Sequence, residues 1–440
     1  MRKSCDGGWG ERNRAARRRD EATRGPMNAL QKLAEALARR SAIPIGVWAL
    51  GGVSLLMDVS SEMIHALLPI YLVTIMGASM EAVGVIEGIA EATASIVKVF
   101  SGALSDRLGR RKWLTAFGYG LAAFSKPIFP LAGSLGWVAA ARFLDRVGKG
   151  IRGAPRDALI ADITPPELRG ASFGLRQALD TVGAFVGPLI AIALMAATGG
   201  AFRVVFWVAV IPAFLAVALL VALVKEPETR SAAGEARPTF DRAALRRLGG
   251  VYWLVVAIAT LFALARFSEA FLVLRVQGLG LPLALAPLTF VAMNVVYALA
   301  AYPAGALSDR LDRLTVAAIG FYLLIAADLA LAFAGGLLGA ALGVALWGLH
   351  LGLTQGVLAA LVADAAPADQ RGAAFGVFNF VSGIAALLAS LAAGALWDAI
   401  GPGATFLAGA LVCALGLVAL SLAARFAPGL RARAGEAGRK

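Results

Sequence analysis

Apolar residues run through this chain in long blocks, broken at intervals by short polar or charged stretches. The blocks approach or exceed the roughly 20 residues that an α-helix needs to cross about 30 Å of hydrocarbon. They are continuous rather than alternating, which excludes a transmembrane β-barrel. Twelve spans are predicted, at 45–75, 82–104, 113–131, 135–152, 170–197, 202–224, 250–276, 284–306, 314–334, 337–362, 372–396 and 403–425. The polar stretch 225–249, with Glu226, Pro227, Glu228, Arg237, Pro238, Arg246 and Arg247, reads as a linker between two six-helix halves. The expected organisation is a tail at 1–44, a bundle at 45–224, the linker at 225–249, a second bundle at 250–426 and a tail at 427–440.

A repeat supports the division into halves. Gly102-Ala103-Leu104-Ser105-Asp106-Arg107-Leu108 returns unchanged at Gly305–Leu311, 203 positions later. Pro165-x-x-x-Arg169-Gly170-Ala171-x-Phe173-Gly174 returns as Pro367-x-x-x-Arg371-Gly372-Ala373-x-Phe375-Gly376, at an offset of 202. One unit of about 200 residues has therefore been duplicated in parallel. In a membrane protein such a repeat points to a transporter with its substrate site between the halves.

Composition sharpens the class. The chain is 59% hydrophobic and 16% charged, with mean hydropathy +0.76, against about 25% charged for a soluble chain. The net charge of +13 sits in loops and tails, where Lys and Arg set membrane orientation, so nucleic acid is not an expected partner. Loops after even-numbered spans carry Arg107, Arg110, Arg111 and Lys112, then Arg156 and Arg169, the linker's basic residues, Arg310 and Arg313, and Arg371. Loops after odd-numbered spans carry almost none, Arg203 excepted, so both termini are expected in the cytoplasm. Trp113, Trp137, Trp253 and Trp397 near span ends suit interfacial anchors. Residues 1–44 hold eleven Lys/Arg against five Asp/Glu and no continuous apolar run, so they are not a signal peptide. Either Met27 is the true start, or the tail is a basic segment near acidic lipid. Cys5 and Cys413 imply no disulfide framework, and no zinc-hydrolase or P-loop pattern occurs, so no metal, cofactor or enzyme activity is expected. Met76 and Met80, four residues apart, could suit a soft metal but read as packing.

Twelve spans in two parallel halves, with Gly-x-Leu-x-Asp-Arg after spans two and eight, resemble the major facilitator superfamily over about residues 45–426. The first copy is nearly complete, with Gly102, Leu104, Asp106, Arg107, Gly109, Arg110 and Arg111. The resemblance implies that this loop governs switching between inward- and outward-facing states. Glycines let helix ends approach, and a carboxylate can hold a neighbouring Arg or helix N-terminus. The second copy, Gly305, Asp309 and Arg310, has Asp312 in place of Gly109 and lacks the double Arg, so it is expected to matter less. These charges could instead merely set topology. A further run, from Arg142 and Asp145 through Arg156-Asp157, is placed at the cytoplasmic end of span four and resembles a variant of the family's span-four motif. The aligned stretch Val344–Ala359 has lost every charge. Span five carries Gly174, Gly183, Gly187 and Pro188, similar to the family's antiporter motif, except that Ala191-Ile192 stands where a glycine pair is expected. The alternative is a glycine-lined packing face with a proline kink.

Ionisable residues inside spans mark a pathway or a partner. Asp58, Glu62 and His65 share one face of span one; Glu87, Glu91, Ser95, Lys98 and Gly102 form one stripe on span two. The resemblance implies that both helices can line a central cavity, making Asp58, Glu62, Glu87 and Glu91 candidates for proton coupling. A permanent buried salt-bridge cluster is the alternative. His65, Lys98, Lys126, Glu269, Asn294, Asp328 and Gln355 are candidates for the substrate cavity. Lys126 and Asp328 are equivalent under the repeat with opposite charge, Asn294 matches Glu91, and Glu269 falls close to Glu62. Arg266 and Glu269 are spaced to pair with each other.

The sequence is thus expected to encode an all-α membrane protein of twelve helices in two pseudo-symmetric six-helix bundles. The expected activity is proton-coupled secondary transport of a small organic solute, as a monomer in a bacterial-type inner (plasma) membrane. Its expected partners are the solute, protons and the lipid bilayer. Export is preferred on the span-five resemblance; uptake of a charged metabolite is the alternative. A non-transporting receptor or scaffold is the alternative of another class.

Overall fold

A computed structural model describes residues 43–108, 110–165, 168–225, 248–308, 313–366 and 371–426. Gly109, Asp309, Arg310, the two tails and nearly all of the linker lie outside the described residues, as do the surroundings of Asp106, Arg107 and Gly305. The first half contains α1 (Ile45–His65), α2 (Met80–Leu108), α3 (Arg111–Ser125), α4 (Leu135–Ile163), α5 (Arg169–Ala197) and α6 (Phe202–Leu223). The second contains α7 (Gly250–Ala265), α8 (Leu288–Ser308), α9 (Arg313–Ala332), α10 (Leu337–Ala365), α11 (Arg371–Ala399) and α12 (Pro402–Phe426). No strand occurs among the described residues.

Among the described residues, nine helical segments are long and apolar enough to cross a membrane by length and composition. The stretches that fall short are α2, α3 and α4. α2 carries Glu81, Glu87, Glu91 and Lys98. α3 stops at Ser125 and resumes only as Ile128–Leu131. α4 carries Arg142, Asp145, Arg146, Lys149, Arg152, Arg156 and Asp157. On α4 the basic and acidic positions recur every three or four residues and so form one stripe. That periodicity explains a difference from expectation. Span four is expected to end at residue 152, yet α4 continues through Pro155 to Ile163. Charges on one face, met by partners in the bundle, do not end a helix.

Three spans expected as continuous are broken. α1 gives way after His65 to a turn, the short Leu68–Ile70 helix and a π-helical turn at Tyr71–Ile75. α3 breaks at Lys126-Pro127. α7 ends at Ala265, and its span resumes as Ala270–Gly278. Each break frees backbone groups, which membrane proteins tolerate where the site is packed by protein or lines a cavity.

The duplication is visible in the packing. α1 contacts α5 and α6 as α7 contacts α11 and α12; α3–α4 and α2–α4 are matched by α9–α10 and α8–α10. Between the halves, α2 packs on α11 along an extended seam and α5 meets α8 more lightly. Without a hydrophobic drive between helices in lipid, close packing of small residues carries association. A Cβ at Gly84 would lie 2.2 Å from the Ser390 carbonyl oxygen, and one at Gly394 would lie 2.4 Å from that of Met80. Only glycine allows the α2–α11 backbones to approach this closely.

Candidate functional site

The charge stripe of α4 is the organising feature of the first half. Arg142 places one guanidinium nitrogen 2.7 Å from Glu87 on α2 and 2.6 Å from Nδ1 of His65 on α1. Lys126, at the break after α3, donates to Asp145 at 2.8 Å and to the Ser61 hydroxyl at 3.0 Å. Arg146 lies 3.5 Å from Glu91 and 4.0 Å from Asp145. Arg152 sits over the Tyr119 ring at 4.7 Å. Arg156 donates to Ser54 at 3.0 Å and to Asp157 at 3.2 Å. Arg142 and Asp145 therefore lie inside the bundle, seven and ten positions into α4, rather than at its cytoplasmic end. The expected placement is corrected because α4 runs on to Ile163, so that the charges from Arg142 onward are met across helices within the bundle.

A cavity of about 510 Å³ lies between the halves. It adjoins a second space of about 700 Å³, with Glu62, Glu91, Ser95, Lys149, Ala184, Asn294 and Asn379 common to both. The first half supplies mainly charge: Glu62, His65, Glu91, Arg146 and Lys149. The second supplies aromatic rings and amides, among them Phe262, Phe267, Phe290, Phe321, Phe378, Asn294 and Gln355. Arg266 and Glu269 reach it from the break in α7. Phe290 packs against His65 with ring centroids 5.0 Å apart, and Tyr297 donates to Gln355 at 3.3 Å. The second space is bordered by Asp58, Lys98, Arg152, Arg156, Gln177 and Asp180, toward the end that carries the basic loops.

At the opposite end the halves close. Asp398, near the end of α11, accepts hydrogen bonds from the backbone N–H groups of Met80 (3.1 Å) and Glu81 (2.7 Å) at the start of α2. Leu67, Leu68 and Tyr71 join Ala270, Phe271 and Leu272 in one apolar cluster spanning both halves.

Some candidates stand elsewhere. Glu87 is fully buried in its pair with Arg142 and does not line either space. Lys126 and Asp328 also lie in packed interior. Lys126 is paired with Asp145, while among the described residues both Asp328 carboxylate oxygens have no hydrogen-bond partner. Gly183 and Gly187 pack on α1: added Cβ atoms would lie 2.7 Å from the carbonyl oxygens of Leu55 and Val59, beside Asp58 and Glu62. A Cβ at Gly174 would meet nothing within 4 Å, and Pro188 lies inside α5. A Cβ at Gly102 would lie 3.4 Å from Ala154, and Arg111 donates to Asp162 at 2.6 Å; Arg110 precedes α3 and is exposed. No group of three or more His, Cys, Asp or Glu is placed to share a metal ion among the described residues. Lys149 and the cavity-facing phenylalanines were missed. The spacing of the α4 run could have revealed Lys149, whereas nothing local marks Asp398.

A two-fold helical repeat, broken helices at mid-span and a polar cavity between the halves define a secondary transporter fold. The Major Facilitator Superfamily profile matches residues 50–390 and again 272–438, and the chain belongs to that family of transporters. It is 33% identical over 378 residues to an uncharacterized MFS-type transporter of Methanocaldococcus jannaschii, covering 83% of this chain and 92% of the relative. The fold is similar to that of a POT family transporter in complex with 5-aminolevulinic acid (TM-score 0.73, 13% identity, 88% of this chain and 97% of that one). It is also similar to a D-xylose–proton symporter (TM-score 0.64, 20% identity, 85% and 95%).

Proposed function

We propose that the chain is a proton-coupled secondary transporter that carries a small organic solute by alternating access between its two halves. The observation that carries this reading is the cavity itself. It is closed at one end by contacts between the halves and widens toward the other, and it is lined by acids that pair with no cation within 4 Å among the described residues: Glu62, Glu269 and, nearer the wide end, Asp58. An acid that carries a proton must change solvation or partner between states, which an open acid can do and a locked one cannot. Among the four coupling candidates, Glu62 and Asp58 fit that role, while Glu87 fits the permanent ion-pair alternative and Glu91 lies between. The wide end carries the basic loops, so under the positive-inside rule this conformation faces inward with both termini cytoplasmic. The similar D-xylose–proton symporter is named for coupled movement of solute and proton, which supports the coupling.

Export rested on Gly174, Gly183, Gly187 and Pro188. The close packing of Gly183 and Gly187 on α1 accounts for those two glycines without antiport. The second reading, uptake of a charged metabolite, is favoured by the charges lining the cavity. The test is reconstitution of the full chain with a solute identified by thermal-shift screening. Glu62→Gln and Glu269→Gln should retain solute binding while an imposed pH difference no longer drives accumulation. Undiminished proton-driven flux in both variants would remove them from the coupling mechanism.

A further inference from the structure

We infer that the cavity takes an organic anion with an apolar body, and that the anion and a proton occupy it together, so that both move in the same direction. This deepens the proposed transport function and rests on it. The argument starts from which charges are already satisfied. Arg142 is held by Glu87, Lys126 by Asp145, Arg146 by Glu91 and Arg176 by Asp180. Two cations lining the 510 Å³ cavity have no acid within 4 Å among the described residues: Lys149 on α4 and Arg266 at the break in α7. They come from opposite halves and line the same cavity.

The sign of the ligand follows from which charges can be removed. Around Glu62 stand Asp58 on its own helix, Asp180 on α5, Glu91 on α2, and Arg142, Arg146 and Lys149 on α4. Around Glu269 stand Arg266, with Glu91, Glu62 and Lys149 across the cavity. A proton neutralises a carboxylate, whereas a guanidinium keeps its charge throughout the working pH range. Protonating Glu62 and Glu269 therefore leaves the cavity positive. An anion then stabilises the protonated acids, and the protons strengthen the anion's binding, a reciprocal linkage that couples them in one direction. A cation would compete with the protons and be exchanged against them. The opposite wall, with Phe262, Phe267, Phe290, Phe321 and Phe378, is apolar and suits an apolar body, and the volume falls in the usual range for a small-molecule site.

The experiment uses purified full-length protein in nanodiscs and three probes of matched shape: 1-naphthoate, 1-naphthylmethylammonium and 1-naphthalenemethanol. Calorimetry in buffers of different ionisation enthalpy reads both affinity and protons exchanged. The naphthoate should bind at least tenfold more tightly than the other two, take up protons on binding, and weaken as pH rises. Lys149→Gln and Arg266→Gln should each lower its affinity about tenfold and leave the alcohol unchanged, while Lys149→Arg keeps the preference. Preference for the ammonium, proton release on naphthoate binding, no discrimination among the three, or no binding of the naphthoate each overturns the inference. Naphthoate binding with proton uptake, but no solute movement under a pH difference in proteoliposomes, would instead sink the transport function and leave the site assignment standing. Proton-driven exchange of the ammonium would do the reverse.

Discussion

Replacing Asp398 with alanine should loosen the closed end of the cavity without unfolding either half. Its carboxylate accepts from Met80 N at 3.1 Å and Glu81 N at 2.7 Å, two of the backbone donors that every helix start leaves without an intrahelical partner. The acceptor lies more than 300 positions away in the other half, so the cap exists only while α2 and α11 are together at this end. A capping carboxylate contributes about 0.5–2 kcal/mol, and its attraction to the helix dipole about 0.3–1 kcal/mol. Asp398 is exposed, which favours the lower figures. About 1 kcal/mol corresponds to roughly a fivefold shift in the ratio of closed to open at this end. Asp398→Asn keeps an acceptor oxygen and should produce a smaller shift. The assay is a distance distribution between spin labels at Ile75 and Ile400, both exposed at this end on opposite halves, with Cys5 and Cys413 replaced. The longer-distance population should grow several-fold in Asp398→Ala, with the midpoint of thermal unfolding little changed. An unchanged distribution, or a lowered unfolding midpoint with no redistribution, would show a static cap with no part in switching.

Glu87→Gln should reduce folded protein, because it strands Arg142 in the interior at a cost of about 3–5 kcal/mol; abundance in the membrane compared with Glu62→Gln reads this directly, and equal abundance would argue against a structural pair. Gly394→Val should force α2 from α11, since its first added carbon would lie 2.4 Å from the Met80 carbonyl oxygen; the same spin-label pair should report loss of the closed population, and an unaltered distribution would contradict the packing. Single cysteines near 78, 133, 335 and 400 should react with an impermeant reagent from outside and those near 110, 235 and 370 only from inside; an externally labelled linker would overturn the orientation.

The architecture was legible in the sequence because it follows from local quantities. Span length is set by bilayer thickness, and the halves by a repeat that survives in the letters themselves. The shared face of Asp58, Glu62 and His65 follows from helical period alone. What each acid does was not legible. Glu62 and Glu87 present the same local signature, a carboxylate in an apolar span, yet one opens on the cavity and the other is locked to Arg142. Lys126 and Asp328 occupy equivalent repeat positions, but among the described residues only Lys126 has a hydrogen-bonded partner. Gly183 and Gly187 resemble an export signature and equally suit a packing face, and only the tertiary structure places α1 against them. Local sequence determines which residues can enter the membrane and on which face they stand. Solvation, pairing and closure depend on groups brought from distant helices, as Asp398 reaches Met80 and Glu81, and only the tertiary structure assigns those neighbours.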